Sequence, residues 1–594
     1  MDQLNQLLLF AEQNSVVLPS NVEFKQVEGK GICCIATEDI EQVIFQLPAN
    51  LIITKDLSNK HFGDLVKCQE HHNTWLKLFL SKLRFSDEVV YVDGVNVTDQ
   101  FAPYVMALPS EVDSPLVWNA RELGLLNGTN LYISLKDKLQ SIYNEWWGCI
   151  KNTTFQQKQY DIGQLSIEEI YDQITSKVFS GEKLDFFSFP AFLSSHLIFT
   201  SRAFPERIIN PDCAEFNVIL LPVLDLLNHE NRSRIQWSCS NEGSFVFEKL
   251  EKVEKGTEIC NNYGAKGNEE LLYGYGFVIE GNEFDNLALK LKLPLSVIEN
   301  ILESGSVYLP TFDDYTTYAF DSGKHSQEGH SKTNDGANSK TVNDFRDGIL
   351  YFINSNLESL KPLLDLFSLL SRNENENATS LRCQLTSLQS LRNALKHKLH
   401  LITDAEPLEL PVDLDISEYR KKCASIYKSG QVSILKDSSN NLKRLQKHIL
   451  SSYKPHVVST KSIRKHDVDF HNDYLRLYND TDNPEPADLS DEFEYAIAWL
   501  MVRTHKDSLI DEYSKYRWVI DQFTDYLSVY DTNSTASNAG KSLHSHFFPN
   551  GNDKISVTTM QGIVDFINNE TFLMESSGAQ SVPVFIGHID INYS

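Results

Sequence analysis

Positive charge is what this sequence is shortest of: 54 Lys and Arg stand against 81 Asp and Glu, a formal charge of −27 at pH 7. Nucleic-acid binders set Lys and Arg on phosphates, so the shortage argues against a nucleic-acid ligand and suits a basic protein partner. The same acidity also serves simple solubility. Paired cysteines are missing too. Nine occur, an odd number, with Cys33 beside Cys34 and no CxxC pair; neither a disulfide framework nor a zinc ribbon is indicated, and reduced thiols are expected. Long apolar runs are absent: "VILLPVLDLL" at 218–227 is too short to span a bilayer. The opening "MDQLNQLLLFAEQNS" lacks the basic flank and cleavage pattern of a secretion signal. These absences point to no membrane and a cytoplasmic location.

What is present is globular material, 41% hydrophobic and 23% charged over 594 residues, enough for two or three domains. The start, "VEFKQVEGKGICCIA" at 22–36, alternates short β-favouring runs with glycine punctuation. From about 56 the texture turns helical, with large apolar residues at three- and four-residue intervals in "TWLKLFLSKLRF" and "FPAFLSSHLIFTSRAF". Strand-like texture returns in "FNVILLPVLDLLNH" and "RIQWSCSNEGSFVFEKL". The expected organisation is an α+β unit over 1–285, its β parts at about 20–55 and 206–285 split by a helical insert over 56–205. A helical domain follows over 286–450, where Leu381, Leu385, Leu388, Leu391, Leu395 and Leu399 form one stripe. The polar stretch 321–344 reads as a disordered loop, and 451–594 as a mostly helical extension. A monomer is the default.

Three segments carry chemistry. Glu28-Gly29-Lys30-Gly31 is a turn whose glycines allow close approach of a ligand to the backbone, although read alone it is far better explained as a plain hairpin turn. Asp225-Leu226-Leu227-Asn228-His229 runs an apolar segment into an amide and an imidazole; the amide can match an adenine edge or simply cap a turn. No second His or Cys lies at ligand spacing from His229, so no metal is expected. "NNYGAKGNEELLYGYGFV" at 261–278 sets Tyr263 and Tyr275 on either side of a polar turn, with "SRAF" at 201–204 as its companion.

The order of these segments resembles the SET-domain methyltransferases, in the branch with a split SET fold like the Rubisco large-subunit methyltransferase. The resemblance covers roughly residues 1–450 and extends to the fungal enzymes that methylate elongation factor 1-alpha. It implies a threaded, pseudoknotted SET fold and a helical substrate-binding domain. It also implies S-adenosylmethionine as cofactor and lysine methylation of a non-histone protein, elongation factor 1-alpha first. Ribosomal proteins, a histidine target and a catalytically silent binding module are the alternatives. Position by position, Glu28, Gly29 and Lys30 resemble backbone contacts to the cofactor, and Arg202 a contact to its carboxylate end. Asn228 and His229 resemble adenine-side contacts, with Asp225 and Asn268 also on the cofactor side. Tyr275 matches the tyrosine at the transferring methyl, and Tyr263 and Phe277 the walls of a lysine channel.

Overall fold

The glycine-punctuated start folds as a hairpin: Val22–Val27 pairs antiparallel with Gly31–Ala36, Val27 opposite Gly31, and the turn between them needs the positive φ of Gly29 (+74°) and Gly31 (+78°). The next strand, Val43–Leu47, finds its partner roughly 200 residues later, in Phe245–Lys249, which pairs on its other side with Ile235–Cys239. Phe45 lies opposite Phe247, their rings edge-on at 5.7 Å. This three-stranded sheet stitches the two β parts together across the insert.

The computed structural model describes residues 2–68, 73–151, 153–155, 157–214, 216–311, 340–374, 376–405, 414–479, 486–505, 516–529, 538–552, 554–575 and 581–591. Among them no helix is long and apolar enough to cross a membrane.

The insert is held by its aromatics. Trp146, on the Asn130–Ile150 helix, lies 5.3 Å from both Tyr143 and Phe189, and its indole donates to Phe187 O at 2.9 Å. Burial of each such side chain contributes about 1.5–3 kcal/mol. The Phe189–Arg202 helix starts where the Ser188 hydroxyl accepts from Ala191 N–H, with Pro190 in its first turn. Its residues 189–199 are all buried, the polar Ser194, Ser195 and His196 included, so it runs through the core enclosed on every side. It stops at extended Ala203, leaving Arg202 in its last turn.

"FNVILLPVLDLLNH" departs from its strand-like reading. Only Val218–Ile219 joins a ladder; Pro222 ends the pairing, Val223 takes φ +74°, and Leu224–Leu226 form a 3₁₀ turn. Proline cannot donate to a ladder, and left-handed backbone at a β-branched residue costs on the order of 1–3 kcal/mol, so the surrounding packing imposes this turn.

The compact units also divide the chain differently from the expected 285 and 450 boundaries. One comprises 1–289 with 400–434, and the other 290–311, 340–399 and 435–591. Within the second, Leu381, Leu385, Leu388, Leu391 and Leu395 are buried as one stripe, and Leu399 is half-buried. The helix carrying them is bonded to the C-terminal part: Leu381 N–H donates to Ile589 O at 2.9 Å and Gln389 Nε2 to Leu573 O at 2.6 Å. Residues 451–591 therefore share a unit with 340–399. Their described residues are mostly helical and also hold a three-stranded sheet, Val457–Ser459, Ser581–Ile586 and Thr571–Glu575 in spatial order. Arg503 is buried there between Asp467 and Asp473, its Nε 2.7 Å from Asp467 Oδ2 and its Nη1 2.8 Å from Asp473 Oδ2. Most of the 321–344 loop lies outside the described residues; its last three, 342–344, enter a 3₁₀ turn, Val342–Phe345.

Candidate active site

Two chain ends meet first. The last turn of the Phe189–Arg202 helix brings Arg202 against Asp225: Nη1 donates to the Asp225 carbonyl at 2.9 Å and lies 3.3 Å from its carboxylate Oδ2. The same Oδ2 accepts from the Tyr104 hydroxyl at 2.8 Å. Asp225 is fully buried; burial pushes its carboxyl up, and Arg202 and Tyr104 oppose that. Its other oxygen, Oδ1, is buried with no hydrogen-bond partner.

An aromatic stack stands beside this pair. His229, Tyr263 and Tyr275 lie face to face at 4.9 and 5.0 Å, each pair tilted by 18°, and Phe277 closes the row edge-on to Tyr275 at 6.1 Å. The row exists because the Asn268–Tyr275 helix ends at Gly276, whose φ of +79° turns the chain back. A Cβ there would stand 2.7 Å from Asp113 N. Gly276→Ala combines left-handed strain with that clash and is expected to cost at least about 2 kcal/mol, read as a lowered melting temperature. Tyr263 is pinned at both ends: its hydroxyl donates to Leu227 O and its N–H to His229 Nδ1, each at 3.0 Å.

With Nδ1 accepting, the proton of His229 sits on Nε2, which donates to Asn231 Oδ1 at 2.8 Å. Burial lowers its pKa from 6.5 to about 4, and nearby Lys266 adds to the fall. A depressed histidine stabilises the fold fully above its unfolded pKa, and that contribution is lost as pH falls from about 6.5 through about 4. We expect at most about 3 kcal/mol to disappear over this window. Urea midpoints of wild type and His229→Gln against pH test this; parallel curves would contradict it.

The cofactor-side residues form a second cluster. Asn228 Nδ2 donates to Ile32 O at 2.9 Å and to Glu258 Oε1 at 2.8 Å, while Glu258 Oε2 pairs with Lys30 at 3.2 Å. The chain around 257–261 is held on one side by the Gly31–Ala36 strand, with Ile259 N–H donating to Cys34 O at 2.7 Å. On the other side Asn261 N–H donates to Asn228 O at 2.7 Å. The Glu28–Gly31 turn is exposed, with nothing within 4 Å of where a Cβ would stand at either glycine, so its backbone is open to a ligand.

A cavity of about 260 Å³ gathers Arg202, Asp225, Tyr263 and Tyr275 with Phe204, Leu227, Asn217, Trp237 and Lys266. Glu28, Gly29, Lys30, Asn228, His229 and Phe277 do not line it. Asn268 lies elsewhere: its Oδ1 accepts from Ile279 N–H at 2.9 Å and its Nδ2 donates to Ile279 O at 3.0 Å, so its amide braces a loop. Sequence reading missed Tyr104 and Glu258. Glu258 stands just before "NNYG", where proximity to a motif was the available signal; Tyr104 sits in the insert with none.

Residues 31–264 match the SET domain family and residues 326–453 the EFM1 middle domain. Ribosomal lysine N-methyltransferase 1 of Saccharomyces cerevisiae is 37% identical over 97% of this chain and 98% of its own. Protein-lysine N-methyltransferase EFM1 of the same yeast is 27% identical over 80% of this chain and 79% of its own. The structure of Rubisco LSMT bound to sinefungin and monomethyllysine covers 76% of this chain and 93% of its own, at 18% identity and a TM-score of 0.48. The chain belongs to the SET-domain protein-lysine N-methyltransferases.

Proposed function

We propose that this chain transfers methyl groups from S-adenosylmethionine to the side-chain nitrogen of a lysine on a ribosomal protein, in the cytoplasm. One observation carries the reading: a single cavity walled by Tyr263 and Tyr275 also takes in Arg202 and Asp225. S-adenosylmethionine supplies a methyl on a positively charged sulfur. The open Glu28–Gly31 turn, with Asn228 fixed beside it, would hold that group.

The chain's own work is on the lysine. Keeping an amine of pKa near 10.4 neutral at pH 7 costs about 4–5 kcal/mol in water. Aromatic walls lower that cost by disfavouring the ammonium. Arg202 and the Tyr104 hydroxyl hold the buried Asp225 carboxylate, which fixes the cavity wall beside the aromatic row. Tyr275 orients the amine, and the proton leaves to water.

The 37% identity over nearly the whole of a ribosomal lysine methyltransferase supports a ribosomal target over elongation factor 1-alpha. The match to the EFM1 middle domain keeps the elongation factor as the second reading. Transfer of labelled methyl into a lysate from cells lacking this protein, followed by mass spectrometry, decides. Label on a ribosomal-protein lysine is expected; label on the elongation factor selects the second reading, and label on a histidine overturns lysine. Failure to bind S-adenosylmethionine in calorimetry would leave a silent binding module.

A further inference from the structure

The hydroxyl of Tyr275 is placed by the peptide that follows it, and that peptide is held from far along the chain. The Tyr419 hydroxyl, in the first turn of the Glu418–Ser452 helix, donates to Gly276 O at 3.1 Å. Next to it, Arg420 donates from Nε to Asp113 Oδ1 at 2.9 Å and from Nη1 to Glu122 Oε2 at 2.8 Å, and also pairs with Glu111. Asp113 is the residue whose backbone packs against Gly276. The Trp118 indole fixes the same loop by donating to Asp113 O at 2.9 Å, and Ser114 Oγ donates to Tyr273 O at 2.6 Å. Two turns further along, the Tyr427 hydroxyl donates to Glu269 Oε2 at 2.6 Å, in the first turn of the Tyr275 helix. One helix therefore grips both ends of the segment that carries Tyr275.

We infer that Tyr419 and Arg420 are positioning residues for methyl transfer, holding the Gly276 turn directly after Tyr275 so that the phenol meets the amine. The helix that contains them lies in the region matching the EFM1 middle domain, so that region contributes to the rate of the chemical step and does not act in substrate docking alone. The geometry favours this over a general packing role. Tyr419 is partly exposed, and its bond goes to the carbonyl of the residue after Tyr275, so removing the hydroxyl frees the Gly276–Phe277 peptide while leaving the buried core in place. Arg420 is 11% exposed and holds three carboxylates, a planar fork's task that a lysine ammonium cannot repeat.

The inference rests on the methyltransferase reading above. Its test uses the full-length enzyme, with the protein identified by that labelling, taken unmethylated, as substrate, and four forms: wild type, Tyr419→Phe, Tyr275→Phe and the double variant. Tyr419→Phe is expected to lower kcat on the order of 10-fold, a consequence of small misplacement, with unchanged KM for S-adenosylmethionine and unchanged melting temperature. Because the effect runs through the Tyr275 hydroxyl, the double variant is expected to be no slower than Tyr275→Phe alone. Arg420→Lys, which keeps the charge, is expected to lower kcat with the same absence of additivity. Wild-type kcat in Tyr419→Phe, or losses that multiply in the double variant, would overturn the inference and leave the methyltransferase reading standing. Absence of methyl transfer by the wild type would overturn both.

Discussion

Tyr275→Phe is expected to lower kcat for methyl transfer on the order of 100-fold or more, while S-adenosylmethionine affinity changes by no more than about threefold. The asymmetry follows from the stack. The ring of Tyr275 packs on Tyr263 at 5.0 Å and meets Phe277 edge-on, and phenylalanine preserves both contacts. Only the hydroxyl is lost. A single preorganised polar group at a reacting centre is worth about 3 kcal/mol of barrier, whereas of the residues assigned to the cofactor Lys30 and Asn228 stand in the separate cluster around Glu258, and Arg202 and His229 are left untouched by the substitution. Single-turnover kinetics and calorimetry on the same preparation give both numbers. Equal losses of rate and affinity would make Tyr275 a binding residue, and a near-normal rate would remove it from the chemistry.

Asp225→Ala carries the second large effect, on stability. The carboxylate is fully buried and holds both the Arg202 guanidinium and the Tyr104 hydroxyl. Truncation strands a partly buried cation and a buried phenol together, and breaking one side of such a pair costs about 3 kcal/mol. Asp225→Asn keeps the shape and an acceptor, so it is expected to fold with a smaller loss yet turn over slowly, since Arg202 is then unbalanced near a nitrogen that gains positive charge as it takes the methyl. Urea denaturation of the two variants separates these outcomes. An alanine variant as stable as wild type would mean that the pair is not closed in solution.

Legibility followed sequence distance. Tyr263, Tyr275 and Phe277 lie within about fifteen residues of one another, and "SRAF" and "LLNH" are local strings, so a linear reading reaches them. Tyr104 and Arg420 escape it because their partners lie 121 and about 300 residues away and nothing in their own neighbourhoods marks them. The segment 216–229 reads as strand because its buried stretch, 219–227, has no period to distinguish strand from turn; the turn there is set by Pro222 and by tertiary packing around Val223. The unit boundary at 434–435 falls inside the continuous Glu418–Ser452 helix, where composition does not change. Asn268 looked like a ligand contact because of its place in the turn, whereas its amide is committed to both sides of one peptide.

The sheet that joins Val43–Leu47 to Phe245–Lys249 also sets a schedule for synthesis. The early strand leaves the ribosome with its edge bare and waits for about 200 further residues, on the order of 10–40 s at ordinary elongation rates, before its mate emerges. Meanwhile the insert's helices, rich in near-neighbour pairings, can form first. The newborn amino-terminal half therefore passes through an interval of sticky, half-made sheet, a natural client for holding chaperones.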